Sequence, residues 1–391
     1  MERKLPFKWE HDEFREAFGA FLDKEAVPYY DEWCKNHMVP HEYFEKMGQA
    51  GFMALWVDKK YGGAGRNGDF LYTVIKAEEY SKRGLNCIFS RLSGDVVAPY
   101  IAENGTEEQR EKWLPKIVKG ETVLGVCMTE PDHGSDLANI QASAVDMGDH
   151  ILVNGTKTFI SNGMVADLLV VAVRTDPNAA KPHKGISLLL IETKSEGVSR
   201  TLIPKIGLQA QDTAEVSFEN VKVPKGNLIG ELNRGFYVLM QHLEAERIMA
   251  AYGSIGTVEH TLSLTSEYVK QRILFGKPLS SFQNTQFKLA QLYTEYNMAL
   301  NYLDQVLLSY MEGKKDINTD CSMIKYYSSE LAFRAADQCV QMFGGYGISS
   351  EMPISRQFCD ARIMRFMQKH TLHNISFCLQ SATGKYSVQA S

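Results

Sequence analysis

Hydrophobic residues follow a helical spacing in the first part of the chain and again in the last part. From about residue 10 to 120 they recur at intervals of three and four, as in Phe14, Phe18, Phe21 and Leu22, which is the spacing of one buried helix face. After Gly235 the same period returns, and it predicts three long helices over about 236–272, 284–312 and 317–343. Both parts are therefore predicted to be helical.

The part between them has a different pattern. Short runs of β-branched and other apolar residues occur at 123–126, 151–153, 168–173, 186–191 and 216–218, as is typical of strands. Turn residues such as Asn154-Gly155 separate the runs, which favours antiparallel pairing through hairpins. We therefore predict an α+β protein with an α-helical domain over 1–121, an antiparallel β domain over 122–232 and an α-helical domain over 233–391.

Composition and charge exclude several classes of protein. The 391 residues exceed the size at which single cores stop growing, about 250–300 residues. The net charge of −5 is spread along the chain, so neither nucleic acid nor a membrane surface is expected as a partner. No stretch reaches the ~20 apolar residues of a membrane span, and the seven cysteines lack the spacing of metal ligands. The acidic start of the chain, without an apolar leader, predicts a cytoplasmic protein.

One glycine motif formally matches a dinucleotide fingerprint. Gly63, Gly65 and Gly68 have the spacing Gly-x-Gly-x-x-Gly, but that fingerprint needs a strand before it and a helix after it. Lys59-Lys-Tyr-Gly62 precedes it inside a helical region, which favours an ordinary loop. The sequence has no Walker lysine motif, His-Glu-x-x-His or Gly-x-Ser-x-Gly, so it offers no motif for phosphoryl transfer, zinc hydrolysis or serine hydrolysis.

Two polar segments in the β part carry the strongest local signal. They are Val-Cys-Met-Thr-Glu-Pro-Asp-His-Gly-Ser-Asp at 126–136 and Asn-Gly-Thr-Lys-Thr-Phe-Ile-Ser-Asn-Gly at 154–163. A loop rich in hydroxyl and backbone donors could hold a flavin pyrophosphate without a lysine. A hairpin capped by Thr129 and Ser135 explains the first segment equally well. These residues alone leave both interpretations open.

The order of these segments, together with three more, resembles the order found in the acyl-CoA dehydrogenases. The three are 269–283, Gln-Met-Phe-Gly-Gly-Tyr-Gly at 341–347 and Asp-Ala-Arg-Ile-Met-Arg-Phe-Met-Gln at 360–368. The resemblance covers essentially the whole chain and implies the family's fold, with a C-terminal four-helix bundle. It also implies FAD as cofactor and a homo-oligomer, expected to be a tetramer, because 269–283 resembles the segment that reaches the FAD of a neighbouring subunit.

The resemblance also implies which residues contact FAD. Phe159 is expected against the flavin face and Ser161 near N5, while Cys127 and Met128 contribute backbone groups. The complete implied set is Val126, Cys127, Met128, Thr129, Gly134, Ser135, Phe159, Ile160, Ser161, Arg272, Phe275, Phe282, Gln283, Gln341, Gly344, Gly345, His370 and Thr371. The chain departs from the family at Lys369-His370-Thr371, where most members continue with a glycine. No metal site is predicted, because His370 and His373 have no third ligand.

Gln368 stands where most members of the family carry the glutamate that removes the substrate's proton. A neutral amide cannot accept that proton. Glu246 is the alternative, because it shares a helical stripe with Leu239, Leu243 and Ala250, and burial among apolar neighbours raises a carboxyl pKa towards that of a general base. The pair Glu246-Arg247 with a non-acid at 368 is similar to the isovaleryl- and long-chain-type members, which carry the base on this helix. A structural ion pair at Glu246 is the competing interpretation, and Glu244 with Arg247 fits an exposed pair better.

The implied reaction is dehydrogenation of an acyl-CoA thioester to the 2-enoyl-CoA. Glu246 would remove the α-proton, the β-hydride would pass to flavin N5, and the backbone N–H of Gln368 would polarise the thioester carbonyl. Substrate contacts are expected at Leu92, Asp95, Val96, Ser135, Leu243, Glu244 and Arg247. For Asp95 a surface pair with Arg91 is favoured over contact with a polar or cyclic acyl group and over a role as second proton acceptor.

The resemblance leaves several functions open besides the dehydrogenase. An electron-transferring flavoprotein is the implied electron acceptor. The same fold also serves acyl-CoA oxidases, enoyl-CoA reductases and flavin monooxygenases, and a paralogue could be a non-catalytic partner subunit. Acyl length, branching and ring structure are not indicated by the sequence.

Overall fold

The computed structural model describes residues 3–66 and 68–367, and its first part is helical as predicted. A π-helical turn, Leu92–Val97, leads directly into the fifth helix. The sixth helix begins after Thr106, whose hydroxyl accepts the backbone N–H of Gln109. The Gln109 side-chain oxygen in turn accepts the backbone N–H of Thr106. The six helices are α1 Trp9–Glu25, α2 Tyr30–Asn36, α3 His41–Gln49, α4 Leu71–Lys82, α5 Ala98–Asn104 and α6 Glu107–Val118.

The middle part is one twisted sheet in the order β6-β7-β3-β2-β4-β5-β8, with β1 paired to β4. Its strands are β1 Leu124–Cys127, β2 Ser143–Asp146, β3 His150–Ser161, β4 Leu168–Arg174, β5 Ile186–Glu192, β6 Val198–Leu202, β7 Thr213–Pro224 and β8 Leu228–Ile229. All five predicted runs fall on strands. The pairing is antiparallel except that β4 runs parallel to β1 and to β2, so the expectation of a purely antiparallel domain is wrong at that one strand.

The last part is a helical bundle, as expected. Its helices are α7 Gly235–Gln241, α8 Leu243–Gln271, α9 Gln283–Met311, α10 Asn318–Phe343 and α11 Pro353–Met364, and a small hairpin of β9 Ile273–Leu274 and β10 Lys277–Pro278 follows α8. Helices α8 to α11 pack on one another around a shared core, which confirms the four-helix bundle. The single helix predicted over 236–272 is divided at His242, where α7 ends and α8 begins.

Helix α11 is fixed to the β part by a backbone contact. A Cβ at Gly207 would lie 2.4 Å from the carbonyl carbon of Cys359, so a side chain does not fit there. The adjacent Leu208 N–H donates to the buried Asp360 carboxylate at 2.5 Å. Burial raises the pKa of Asp360 to about 6, because desolvation outweighs the Leu208 N–H and the charges of Arg356 and Lys205, which act in the opposite direction.

Three further points can be compared with residues 3–66 and 68–367. Gly63 and Gly65 lie in a loop after the short 3₁₀ turn Lys59–Tyr61, which confirms the loop interpretation. The six cysteines in these ranges are free thiols. No helix within the same ranges is long and apolar enough to cross a bilayer.

Candidate active site

Glu246 lies in the first turn of α8 and is buried, with 5% of its surface exposed. The hydroxyl of Tyr100 on α5 donates to Glu246 Oε1 at 2.9 Å. Burial, and then the nearby Glu246 charge, raise the pKa of Tyr100 well above its usual value, so the hydroxyl stays protonated and remains a donor. The edge of the His242 ring packs against Tyr100 with 4.7 Å between centroids. The geometry therefore holds one carboxylate in a fixed orientation at the start of a long helix.

The neighbours of Glu246 on the first turn of α8 differ from the sequence-based picture. Arg247 is buried, with 2% exposure, and its guanidinium donates to the Asn318 side chain at the start of α10. Glu244 and Arg247 do interact electrostatically, but the expectation that this pair is exposed is wrong, because Arg247 is buried under α10. Glu244 is half-buried, and burial raises its pKa. Leu243 is half-buried as well.

The loop after β1 is held by a buried ion pair. Lys157 on β3 has no exposed surface, and its ammonium donates to Glu130 Oε1 at 2.8 Å and to the Met128 carbonyl at 3.1 Å. Glu130 also accepts the N–H groups of Gln141 at 2.6 Å and Ala142 at 2.9 Å. Burial alone would raise the pKa of Glu130, but Lys157 and these two donors hold it below its usual value. The ion pair thereby fixes both ends of the 128–142 loop.

This loop exposes the groups that the first polar segment was expected to use. Val126, Met128 and Thr129 are half-buried, whereas Gly134 and Ser135 are exposed. The Cys127 side chain faces the other way, into the core of the sheet, and burial raises its pKa to about 12. Only the backbone of Cys127 is therefore available to a ligand.

Phe159 is presented outwards by an irregularity in β3. Its φ is +56°, in the left-handed region that a bulky residue rarely adopts, and the pairing of β3 with β7 shifts between Lys157 and Ile160. This β-bulge leaves the ring 65% exposed while Ile160 is 2% exposed and Ser161 half-buried. Local strain at one residue thus places an aromatic face beside the polar loop.

A cleft between the end of α8 and the end of α10 collects four of the predicted cofactor residues. It has a volume of about 720 Å³, and Arg272, Gln341, Gly344 and Gly345 line it. Gly344 has φ of +60°, and a Cβ there or at Gly345 would meet nothing within 4 Å. The backbone of this turn is therefore open to a ligand. The cleft offers a guanidinium, an amide and bare backbone groups, which is the donor set that an adenosine or pyrophosphate needs.

Three other predicted cofactor residues lie near this cleft without lining it. Phe275 is 87% exposed on the β9–β10 turn, and its ring meets the edge of Phe282 with 6.4 Å between centroids. Gln283 is exposed at the first residue of α9. Gln368, His370 and Thr371 lie outside the described residues.

The helical segment before α5 carries the predicted acyl contacts. Leu92 and Val96 pack at the edge of the core formed with α5 and α6. Asp95 does not form a surface pair with Arg91, because its side chain is 4% exposed and its Oδ2 lies 2.5 Å from Lys76 Nζ on α4. The surface-pair interpretation is wrong because the partner of Asp95 lies on another helix. Spacing along one helix does not reveal such a partner.

Family models match nearly the whole chain. The acyl-CoA dehydrogenase N-terminal domain matches residues 8–121, the middle domain 125–221 and the C-terminal domain 233–368. The chain belongs to the acyl-CoA dehydrogenase family. Members of this family are FAD enzymes that dehydrogenate acyl-CoA thioesters, and the predicted fold, reaction class and cofactor are those of the family.

Three related proteins show how broad this acyl-CoA dehydrogenase family is. The rat mitochondrial long-chain specific acyl-CoA dehydrogenase is 40% identical over 91% of this chain and 83% of its own length. The CarC subunit of the caffeyl-CoA reductase–Etf complex from Acetobacterium woodii is 35% identical over 91% and 94%. A crystal structure of an acyl-CoA dehydrogenase from Geobacillus kaustophilus has a TM-score of 0.94 at 45% identity, covering 97% of this chain and 99% of that one.

Two features of this acyl-CoA dehydrogenase site escaped sequence reasoning. Tyr100 was not singled out, because a tyrosine in an apolar helical pattern looks like an ordinary core residue. Lys157 and Glu130 are 27 residues apart in the chain. Their pairing can be predicted only from a fold in which β3 lies beside the 128–142 loop. The charged Lys157 inside a strand that otherwise alternates was the one available signal.

Proposed function

We propose that this chain dehydrogenates an acyl-CoA thioester at the α and β carbons, with Glu246 as the base that removes the α-proton. The observation that supports this most is the buried Glu246 carboxylate, oriented by the Tyr100 hydroxyl at 2.9 Å. Orientation matters because a general base must lie within hydrogen-bond reach of the proton that it removes. In this proposal Tyr100 is a positioning residue and Glu246 the catalytic one.

FAD fits the two groups of residues described above. The loop at Thr129 and Ser135, together with the outward ring of Phe159, would hold the flavin half of FAD. A cleft lined by Arg272, Gln341 and Gly344 would hold the adenosine half. When bound, FAD supplies the acceptor for the hydride that leaves the β-carbon. The backbone N–H of Gln368 would donate to the thioester oxygen and so stabilise the charge that develops when Glu246 takes the proton. Gln368 keeps this donor although it lacks a carboxylate.

The segment before α5 and the first turn of α8 would enclose the acyl chain. Leu92 and Val96 offer apolar contact, and Leu243, Glu244 and Arg247 lie on the same turn as the base. Water exclusion by these residues strengthens the electrostatic interactions at the α-carbon.

The assembly and the electron acceptor are part of the same proposal. Phe287 and Met298 are each 67% exposed and lie eleven residues apart, on one face of α9. We propose that a second copy of the chain covers this face of α9 and the exposed Phe275, in keeping with a tetramer. The name of the Acetobacterium woodii relative includes an Etf complex, which supports an electron-transferring flavoprotein as partner. A cytoplasmic location stays a prediction.

The test is anaerobic mixing of the FAD-loaded protein with a panel of acyl-CoA thioesters while flavin bleaching is followed. Glu246→Gln keeps the size of the side chain and its bond to Tyr100, and we expect it to slow bleaching about 10²–10⁴-fold, as loss of a general base does. Glu267→Gln, on the exposed surface near the other end of α8, is the matched control and should stay within a few-fold of the wild type. Equal rates for Glu246→Gln and wild type, at equal flavin content, would show that the base lies elsewhere.

A second candidate is the reverse reaction, reduction of an enoyl-CoA. The 35% identity to a subunit of a caffeyl-CoA reductase complex favours testing it. Oxidation of the reduced, FAD-loaded protein by an enoyl-CoA faster than bleaching by the matching acyl-CoA would support the reductase. Hydrogen peroxide formed in stoichiometric amounts with the enoyl product would instead support an oxidase.

A further inference from the structure

The loop between β6 and β7, residues 205–212, contacts two segments that are far apart in the sequence. Near its middle, the Leu208 N–H donates to the Asp360 carboxylate on α11 at 2.5 Å. At its end, the Asp212 carboxylate accepts the N–H of Met164, in the turn after β3, at 2.6 Å. One short loop therefore holds α11 in a fixed position relative to the end of β3.

Both junctions of this loop contain backbone in the left-handed region. Leu208 has φ of +50°, which a bulky residue rarely adopts. Asn162, in the turn after β3, has φ of +58°, and its N–H donates to the backbone carbonyl of Asp212 at 3.2 Å. Strain of this kind persists only where surrounding contacts hold it, and it is concentrated at functional sites. The two junctions are therefore candidates for a functional role.

The two carboxylates at the junctions are buried and feel the charge of the same cation. Asp212 is 2% exposed and Asp360 has no exposed surface. The Lys205 ammonium donates to the Gln211 carbonyl within the loop at 2.5 Å, and its charge acts on both acids. Aspartates are rarely buried to this extent without a reason, because desolvation of a carboxylate is costly. Neither of them takes part in the reaction proposed above.

The two segments that the loop holds carry groups of the proposed reaction. The turn after β3 follows Ser161 directly, and Ser161 is the residue expected near flavin N5. Helix α11 leads to Met367, which packs against the buried cluster that contains Leu208. The peptide bond after Met367 is planar and carries the N–H of Gln368, the proposed oxyanion donor. The position of this donor relative to the flavin edge therefore depends on the loop.

We propose that Asp212 and Asp360 are positioning residues, which act through the 205–212 loop to hold the flavin edge and the thioester oxyanion donor at a fixed separation. Dehydrogenation needs the α-carbon at the base, the β-carbon at the flavin and the carbonyl at its donor simultaneously. A displacement of about 1 Å can slow such a reaction about 10²-fold. This inference rests on the proposed function, which supplies the roles of Ser161 and Gln368. It adds the residues that bring these two groups into line.

The kinetic test follows anaerobic flavin reduction in the FAD-loaded protein by octanoyl-CoA at saturating concentration. Asp212→Leu and Asp360→Leu remove the two acceptors, and each should slow flavin reduction about ten- to hundredfold. The Kd of the thioester should stay within a few-fold of wild type, because neither acid contacts the substrate. Asp360→Asn still accepts the Leu208 N–H and should reduce its flavin within a few-fold of the wild-type rate.

The effects of the two acids should not multiply, because both act through one loop. The variant that combines Asp212→Leu with Asp360→Leu should reduce its flavin within about threefold of the slower single variant. Losses that multiply would show two independent local effects and would overturn the proposal.

Two further variants separate positioning from a general loss of stability. Glu79 is 4% exposed and pairs with two arginines of the first helical part, so Glu79→Leu should lower stability in urea without slowing flavin reduction. Gly207→Ala leaves both acids in place, but its Cβ would lie 2.4 Å from the carbonyl carbon of Cys359 and should move the loop away from α11. It should slow flavin reduction as Asp360→Leu does, and it tests the same junction if Asp360→Leu does not fold. Equal slowing by Glu79→Leu would contradict a positioning role.

Infrared spectroscopy of a bound thioester tests the oxyanion donor directly. Wild type should lower the C=O stretching frequency of bound 2-octenoyl-CoA, labelled with ¹³C at the carbonyl, because the donor polarises that bond. Asp360→Leu and Gly207→Ala should lose most of this decrease, whereas Asp360→Asn and Glu79→Leu should keep it.

This spectrum separates the inference from the proposed base. No proton is removed from the enoyl thioester, so the comparison can be made in the Glu246→Gln variant and is valid even if another residue is the base. A decrease that Asp360→Leu and Gly207→Ala retain would overturn this inference alone. A wild-type protein without any decrease has no oxyanion donor to position, which would overturn the inference together with the proposed role of Gln368.

Discussion

Two buried lysines in this molecule are compensated in different ways. Lys157 in the β part meets Glu130, whose oxygens also accept two backbone N–H groups. Lys76 in the helical part meets Asp95, which must serve Arg91 as well. Burial lowers the pKa of both lysines, and in each case the paired acid opposes that shift. The first group of charges is balanced within the protein and the second is not.

The difference separates an ion pair that is fully compensated from a charge group that is compensated only in part. A balanced buried pair fixes a loop, and nothing further is needed to explain it. Two buried cations that share one carboxylate keep part of their desolvation cost. Charge balance, rather than burial, is therefore what distinguishes the two lysines.

The largest effect is expected from Asp95→Asn. This change leaves Lys76 and Arg91 buried without an anion, and breaking such a pair costs about 3–5 kcal/mol. Urea unfolding of the FAD-loaded protein measures the loss. Combining Asp95→Asn with Lys76→Met should recover part of the lost stability, because one of the two cations is then removed. If Asp95→Asn alone were as stable as wild type, two buried cations would not depend on this carboxylate.

A smaller loss is expected from Lys157→Met. Glu130 loses its cation but keeps the N–H groups of Gln141 and Ala142, so we expect a cost of about 2–4 kcal/mol, below that of Asp95→Asn. The same unfolding experiment checks it. Adding Glu130→Gln should restore stability, and the opposite ranking of the two lysine sites would refute the distinction drawn above.

Asp360 offers a third arrangement, a buried acid that accepts the Leu208 N–H and whose desolvation outweighs the attraction of Arg356 and Lys205. Its pKa in the folded protein is about 6, above the ordinary 3.8, so the folded state holds its proton more tightly. The folded protein therefore loses stability as pH rises from about 4 to 6, by about 2–3 kcal/mol in total. Asp360→Asn still accepts the Leu208 N–H and should remove most of this dependence. Unfolding at pH 4.5, 5.5 and 7 tests it, and identical pH profiles for the variant and wild type would contradict the assignment.

The sequence predicted local structure well where burial is periodic. The long helices and the five apolar strands follow directly from spacing. It missed β2 and β6, which are half-exposed and rich in polar residues, and the break at His242, because the apolar period continues across it. These elements depend on neighbours rather than on their own pattern.

Residues of the candidate site could be predicted from the sequence only where they belong to a recognisable motif. Glu246 and the cleft residues Arg272 and Gln341 came from ordered segments, whereas Tyr100, Lys76 and Arg91 acquire their roles through contacts between helices distant in sequence. Asp95 shows the limit most clearly: the i, i+4 rule chose Arg91, but the closest cation comes from α4.

The bulge at Phe159 makes chain length at this point as important as residue identity. Side chains alternate between the faces of a strand, so deleting one residue between Lys157 and Ile160 would exchange the inside and the outside of the strand beyond it. The aromatic ring would turn into the sheet, or the lysine would turn out to solvent. A library of conservative substitutions should therefore be tolerated here more readily than any single insertion or deletion.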